Sequence, residues 1–271
     1  MIVDYHLHLR DDDGNIAHRV DAVGPFLETA LARGVNEIAF TEHVYYFRQT
    51  AEIWDVPYLA ERCVYDLDAY CDAVLEAKRG GLPVKLGIEI DYVGERQQRL
   101  AELLEGYPWD FRLGSVHWLG GAAVDMSPGA WEVMTVDEIW QRYTGALCEL
   151  AVSGAVEALA HADLPKIFGR RPEAPLLAAL HEQAAFAIAA SGVAVEISTA
   201  GLRKPVGELY PDPAFLDACV GAGTPITLAS DAHEPDLVGA EFQQALALAR
   251  AAGCQTVTVF DGCVGRQEPL G

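Results

Sequence analysis

Residues 2–8 read Ile2-Val3-Asp4-Tyr5-His6-Leu7-His8, a short strand-forming run that ends on two histidines. Side chains alternate across a strand, so His6 and His8 share one side, two residues apart. The same construction recurs along the chain. Residues 37–41 lead into Thr41-Glu42-His43, and residues 84–90 close on Gly87-Ile88-Glu89-Ile90-Asp91. Residues 111–116 close on Gly114-Ser115-Val116-His117-Trp118, and residues 156–160 on Ala160-His161-Ala162-Asp163. After a run at 193–197, residues 226–229 end in Ser230-Asp231-Ala232-His233. Most of these runs are apolar on both faces, as parallel strands covered by helices must be. An eighth run, 256–260, carries no such ending.

Amphipathic stretches lie between the runs. Ile139, Tyr143, Leu147 and Leu150 mark one apolar helix face, and Leu177, Leu180, Ala184 and Ile188 another. Gly34, Gly192 and Gly223 stand where helix C-caps belong. Residues 45–62, rich in aromatics, are too long for a simple βα loop and read as a rim insertion. No GxGxxG follows the first strand and no GxxxxGK[ST] occurs, which disfavours the nucleotide-binding open sheets. Repeated βα units then fit a closed barrel, in which strand C-terminal ends converge on one face and build the active site there. The whole chain, 1–271, reads as a single domain of this kind.

The 271 residues are 51% hydrophobic and 22% charged, which excludes a disordered chain. No apolar run reaches the roughly 18 residues a membrane span needs. The N-terminal residues lack a basic region and turn polar at Asp4, so the expected location is cytoplasmic. Nineteen Lys and Arg against forty Asp and Glu give a formal charge of −21, which makes long DNA or RNA a poor partner. The six cysteines show no CxxC pairing and read as reduced, structural thiols.

The chemistry lies in the strand ends. His181 falls in a helical stretch and His18 in the first loop, while the other histidines end strands. Each HxH or strand-end histidine alone is an ordinary polar terminus, but the joint pattern is not. Clustered imidazoles and carboxylates suit Zn²⁺, Mn²⁺ or iron, and their number implies two or three ions. The sixth run leads instead into Glu196-Ile197-Ser198-Thr199-Ala200-Gly201-Leu202-Arg203-Lys204-Pro205. A guanidinium and an ammonium beside a metal cluster are fitted to grip one phosphate. Lys166, Arg170 and Arg171 form a second basic group.

In this order and spacing, HLH, TEH, GIE, GSVH, AHAD and SDAH resemble the PHP (polymerase and histidinol phosphatase) superfamily. The segment from Thr199 to Pro211 resembles its histidinol-phosphate phosphatase branch. The resemblance implies a distorted (β/α)7 barrel holding a trinuclear centre. His6, His8, Glu89 and Asp231 would hold one ion, and Glu89 would bridge to a second held by His117 and His161. His43 and His233 would take a third, with Asp13, or else His18, standing where many relatives have a loop histidine. The implied reaction is hydrolysis of L-histidinol phosphate, a small phosphorylated substrate, to L-histidinol and phosphate. Glu89, His117, Asp231 and Arg203 would be catalytic. Arg203, Lys204 and Lys166 would face the phosphate, while Glu42, Tyr45, Tyr46, Asp91 and Trp118 would supply an acidic, aromatic rim for the substrate's cationic end. Rival readings are a phosphatase for another small monoester, a nuclease for a short oligonucleotide, and a non-enzymatic polymerase module. The charge argues against a polymer substrate, and the near-complete ligand set against the module.

Overall fold

In a computed structural model that describes residues 1–126 and 129–271, seven parallel strands form one sheet. They are β1 (Val3–Leu7), β2 (Glu37–His43), β3 (Val84–Asp91), β4 (Phe111–Ser115), β7 (Ala158–Leu159), β8 (Ala194–Ser198) and β9 (Ile226–Ala229), hydrogen-bonded in that order. Between β4 and β7 lies a small hairpin, β5 (Trp118–Leu119) and β6 (Ala122–Ala123). The sheet curls until its edges meet. His8 N donates to Ala232 O at 2.9 Å, and Ala232 N to His6 O at 3.2 Å. Every residue of β1, β8 and β9 is buried, because helices cover the sheet outside and side chains fill the barrel inside.

The outer layer comprises α1 (Val23–Ala32), α2 (Pro57–Ala60), α3 (Leu67–Arg79), α4 (Gln97–Leu104), α5 (Val136–Val152), α6 (Ala174–Ser191), α7 (Pro213–Gly221) and α8 (Phe242–Ala251). Their starts follow from local chemistry. Thr135 and Glu138 form a capping box on α5, and the Asp66 and Asp212 side chains accept from the first free amides of α3 and α7. Gly192 closes α6 at φ 76°, a conformation that favours glycine. On α5 the expected face of Ile139, Tyr143, Leu147 and Leu150 is buried. On α6, Leu180, Ala184 and Ile188 are buried and Leu177 half-buried. No helix of the described residues is long and apolar enough to cross a membrane.

The strands differ from expectation at their ends. β1, β2 and β3 continue far enough to include His6, His43 and Asp91. The fifth barrel strand, β7, shrinks to Ala158–Leu159. Residues 45–62 fold as 3-10 turns at Val44–Tyr46 and Arg48–Ile53 followed by α2, on the side of the strand C-termini. The eighth run stays out of the barrel. It becomes β10 (Thr256–Asp261), paired antiparallel with β11 (Val264–Pro269). Sequence pattern missed β11 because its side chains are mostly polar and exposed. This hairpin covers the lower end of the barrel, where Phe260 stacks on Phe111 with centroids 5.1 Å apart and lies 6.1 Å from Tyr5.

Phe260 thus closes the core at the end away from the histidines. Replacing it with alanine should cost about 3–5 kcal/mol in chemical denaturation, through lost burial and a cavity. Catalysis at the opposite end should persist.

Candidate metal centre

Glu89, near the end of β3, is fully buried, and its two oxygens face different imidazoles. Oε2 lies 2.6 Å from His43 Nδ1 and 3.5 Å from His6 Nε2. Oε1 lies 3.5 Å from His161 Nε2 and 3.6 Å from His117 Nε2. A second carboxylate completes the cluster: Asp231 Oδ1 is 3.4 Å from His8 Nε2, 3.4 Å from His233 Nε2 and 3.6 Å from His6 Nε2. Six strand ends therefore deliver side chains to one small volume, because strand alternation and barrel closure leave them no other direction.

The outward nitrogens are held by a ring of carboxylates. His6 Nδ1 lies 3.0 Å from Glu196 Oε2, His8 Nδ1 3.1 Å from Glu42 Oε1, and His117 Nδ1 2.8 Å from Asp91 Oδ1. Such partners hold the hydrogen on Nδ1 and leave the Nε2 lone pair pointing inward. Those inward atoms are orphaned: among the described residues, His6 Nε2, His8 Nε2 and both Glu89 oxygens have no hydrogen-bond partner. Leaving a buried polar atom unpaired costs about 1–3 kcal/mol each, so a cluster of them is stable only around a group that takes their lone pairs. Divalent cations do so, and the donor set of imidazole nitrogens and carboxylate oxygens suits transition ions. Among the described residues, four triads have donor atoms within 4.8 Å of one another: His6–Glu89–His161, His6–His8–Asp231, His8–His43–His233 and His43–Asp91–His117.

The two central carboxylates are held ionised. Burial alone would raise the Glu89 carboxyl, but His43, His6 and His117 hold it well below the usual range. Burial likewise opposes ionisation of Asp231, which His6, His233 and His8 outweigh. Burial depresses His8 and His43, which keeps their rings neutral and able to donate lone pairs. Two strand-end residues also sit in the left-handed backbone region, His161 at φ 28° and Asp231 at φ 52°. Strain of this kind persists where surrounding structure over-determines it, as at functional sites.

The PHP domain family model matches residues 4–200. This chain belongs to the PHP domain family. It is 32% identical over 260 residues to a probable histidinol-phosphatase of Deinococcus radiodurans, covering 95% of this chain and 96% of that protein. It is 23% identical to the histidinol-phosphatase of Bacillus subtilis, covering 82% of this chain and 91% of the relative. Among solved structures it resembles the histidinol phosphate phosphatase of Lactococcus lactis complexed with zinc, L-histidinol and phosphate. That match has a TM-score of 0.77 at 20% identity, over 98% of each chain.

Within this PHP domain the structure brings His6, His8, His43, Glu89, His117, His161, Asp231 and His233 together. Asp13 is not among them. It is exposed on a turn closed by its own amide to Asp11 Oδ1 at 3.1 Å, and it belongs to no donor cluster of the described residues. His18 stays behind the site, against Phe47, Tyr65 and Tyr70, with Nε2 3.5 Å from Glu42 Oε2.

Three expected substrate contacts are also placed elsewhere. Glu42 is fully buried behind His8, where it accepts from Arg10 at 2.7 Å. Lys166 is fully buried, with Nζ 2.6 Å from Leu209 O and 2.9 Å from Asp163 Oδ2, so it welds the loop after β7 to the loop after β8. Arg203 turns from the cleft to Ser230 O and to Glu241 Oε2, the latter at 3.1 Å. It therefore steadies the loop that carries Asp231. Lys204 and Trp118, in contrast, line the cleft beside His43, Glu89, His117, His161, Asp231 and His233.

Sequence reading passed over Glu196 and Arg10. A lone carboxylate inside the apolar run Val193-Ala194-Val195-Glu196-Ile197 was the available signal for the first. Arg10 continues the alternation of His6 and His8 by one more step, which was the signal for the second.

Glu196 holds His6 through one oxygen and accepts from His161 N at 3.2 Å through the other. Glu196→Gln should therefore weaken zinc binding about 10–100-fold in a competition titration, as loss of an orienting outer carboxylate does. An unchanged affinity would remove that role.

Proposed function

We propose that this PHP domain, read as one unit over 1–271, is a metal-dependent histidinol-phosphatase. It would cleave the P–O bond of L-histidinol phosphate with water to give L-histidinol and phosphate. The observation that carries this reading is the Glu89 carboxylate, set between two pairs of inward nitrogens, with both its oxygens and His6 Nε2 lacking a hydrogen-bond partner among the described residues. Relatives named for this activity, one at 32% identity over most of both chains, support the substrate.

His6, His8, Glu89 and Asp231 would hold one divalent ion, and Glu89, His117 and His161 a second. Bound there, such ions supply Lewis-acid stabilisation of phosphoryl charge and a nucleophile from water near neutral pH. The chain's own residues do the rest. Glu196, Glu42 and Asp91 fix the rings of His6, His8 and His117. Arg203 and the backbone around Ser230 keep Asp231 in its left-handed conformation. Lys204, exposed at the cleft mouth, makes no ion pair among the described residues and is free to meet a phosphate oxygen.

The leaving alcohol has room beside the cleft. Trp118 and Asp91 also border a cavity of about 460 Å³, walled by Trp54, Tyr92 and residues of the insertion. Indole faces and carboxylates there suit an ammonium or imidazolium group.

The test is phosphate release from a panel of monoesters by metal-loaded protein. L-histidinol phosphate should be the preferred substrate, and preference for another ester would overturn the substrate assignment. Lys204→Ala should raise KM for the ester about tenfold with kcat nearly unchanged, the signature of uniform binding lost. An equal loss in kcat would move Lys204 into the chemical step.

A further inference from the structure

We propose that the centre of this chain takes two divalent ions rather than three, and that the guanidinium of Arg10 stands where a third would be bound. This rests on the metal-dependent reading above and adds the count and its cause.

Of the candidate donor triads, His8–His43–His233 is the one made of imidazoles alone. Arg10 reaches it directly. The side chain is nearly buried, with Nη1 2.7 Å from Glu42 Oε2 and 3.1 Å from Leu9 O, and Nη2 3.3 Å from His233 Nδ1. Arginine offers only donors and keeps its proton. His233 Nδ1 must then be the acceptor in that contact, so the ring hydrogen sits on Nε2. That nitrogen faces Asp231 Oδ1 at 3.4 Å, as a donor would. A nitrogen bearing its hydrogen has no lone pair for an ion.

Two further observations point the same way. The rings of His8 and His233 are stacked, 4.0 Å apart at 7°. Their ring planes lie nearly parallel, side by side, rather than in the separated directions that a tetrahedral ion takes. The loop after β1 also brings neither of its candidate ligands to the cluster, since Asp13 is exposed and His18 is packed among aromatic rings. A third ion would thus sit beside a fixed, poorly hydrated positive charge with a depleted ligand set, and Coulomb repulsion opposes it. The other two positions each include a carboxylate, and no basic side chain of the described residues pairs with Glu89 or Asp231 apart from histidine.

The experiment is a metal count by inductively coupled plasma mass spectrometry on protein saturated with zinc and then desalted. Wild type should hold two zinc ions per chain. Three would overturn this proposal while leaving the phosphatase reading intact, and fewer than two would overturn both. Arg10→His removes the guanidinium and offers an imidazole, so it should bind a third equivalent; a count of two in that variant would overturn the exclusion by Arg10. Independently of folding in any variant, ¹⁵N shifts of the His233 ring in the zinc-loaded wild type should report the Nε2–H tautomer. A zinc-shifted Nε2 would overturn the proposal.

Discussion

A single carboxylate, Glu89, occupies the point where four imidazoles meet at the barrel's upper end. An isolated buried carboxylate is tolerated only when its charge is matched and its lone pairs are used. Here the match is supplied from four other strands: His6 on β1, His43 on β2, and His117 and His161 just beyond β4 and β7. The surrounding carboxylates Glu42, Asp91 and Glu196 add negative charge one layer out. Inner rings drawn towards anions on both sides form a site that favours cations, and the preference belongs to the whole layered arrangement rather than to any one residue.

That arrangement requires β1 and β9 to be held together, and Asp4 does so. Its carboxylate accepts from Ser230 N and Ser230 Oγ at 2.8 and 2.5 Å, and from Gly239 N at 2.8 Å. Burial pushes this carboxyl up to about 6 even against the hydrogen bonds from Ser230 and Gly239. The contact fixes the start of the loop that turns at Asp231, whose Oδ1 lies 3.4 Å from His8 and 3.6 Å from His6 although it is far from them in sequence. Arg203 grips the same loop through Ser230 O. Barrel closure and placement of Asp231 are therefore one event, and the strained backbone at Asp231 is secured by groups that never touch a substrate.

The barrel and its inner donors were legible because they obey local rules. Period-two alternation and apolar runs locate strands, and strand polarity dictates which end bears chemistry. What was illegible depends on side-chain direction after tertiary packing. Arg203, Lys204 and Lys166 look alike as basic residues near strand ends, yet one holds a loop, one faces the cleft and one is buried against Asp163. Asp13 looked like an oxygen ligand in the right loop, but a turn closed on Asp11 carries it into solvent. Glu42 read as a rim carboxylate because it neighbours His43, although alternation places adjacent strand residues on different sides. The β10–β11 hairpin escaped because half of it has no apolar signal and its register is set by a partner strand.

The distribution of charge also bears on what the site can accept. With forty acidic against nineteen basic residues, the field over most of the surface is repulsive to anions. Much of the positive charge is committed to neighbours: Arg10 to Glu42, Arg112 to Glu157, Lys78 to Asp110, Arg171 to Glu208. A polyanion would need a row of free cations to neutralise successive phosphates. The cleft presents instead one exposed ammonium, Lys204, above buried metal donors, and opens beside indole rings and carboxylates. Attraction for a phosphate is thus confined to the depth of the cleft, while the rim favours a cation. A small ester with an anionic end and a cationic end meets both conditions at once.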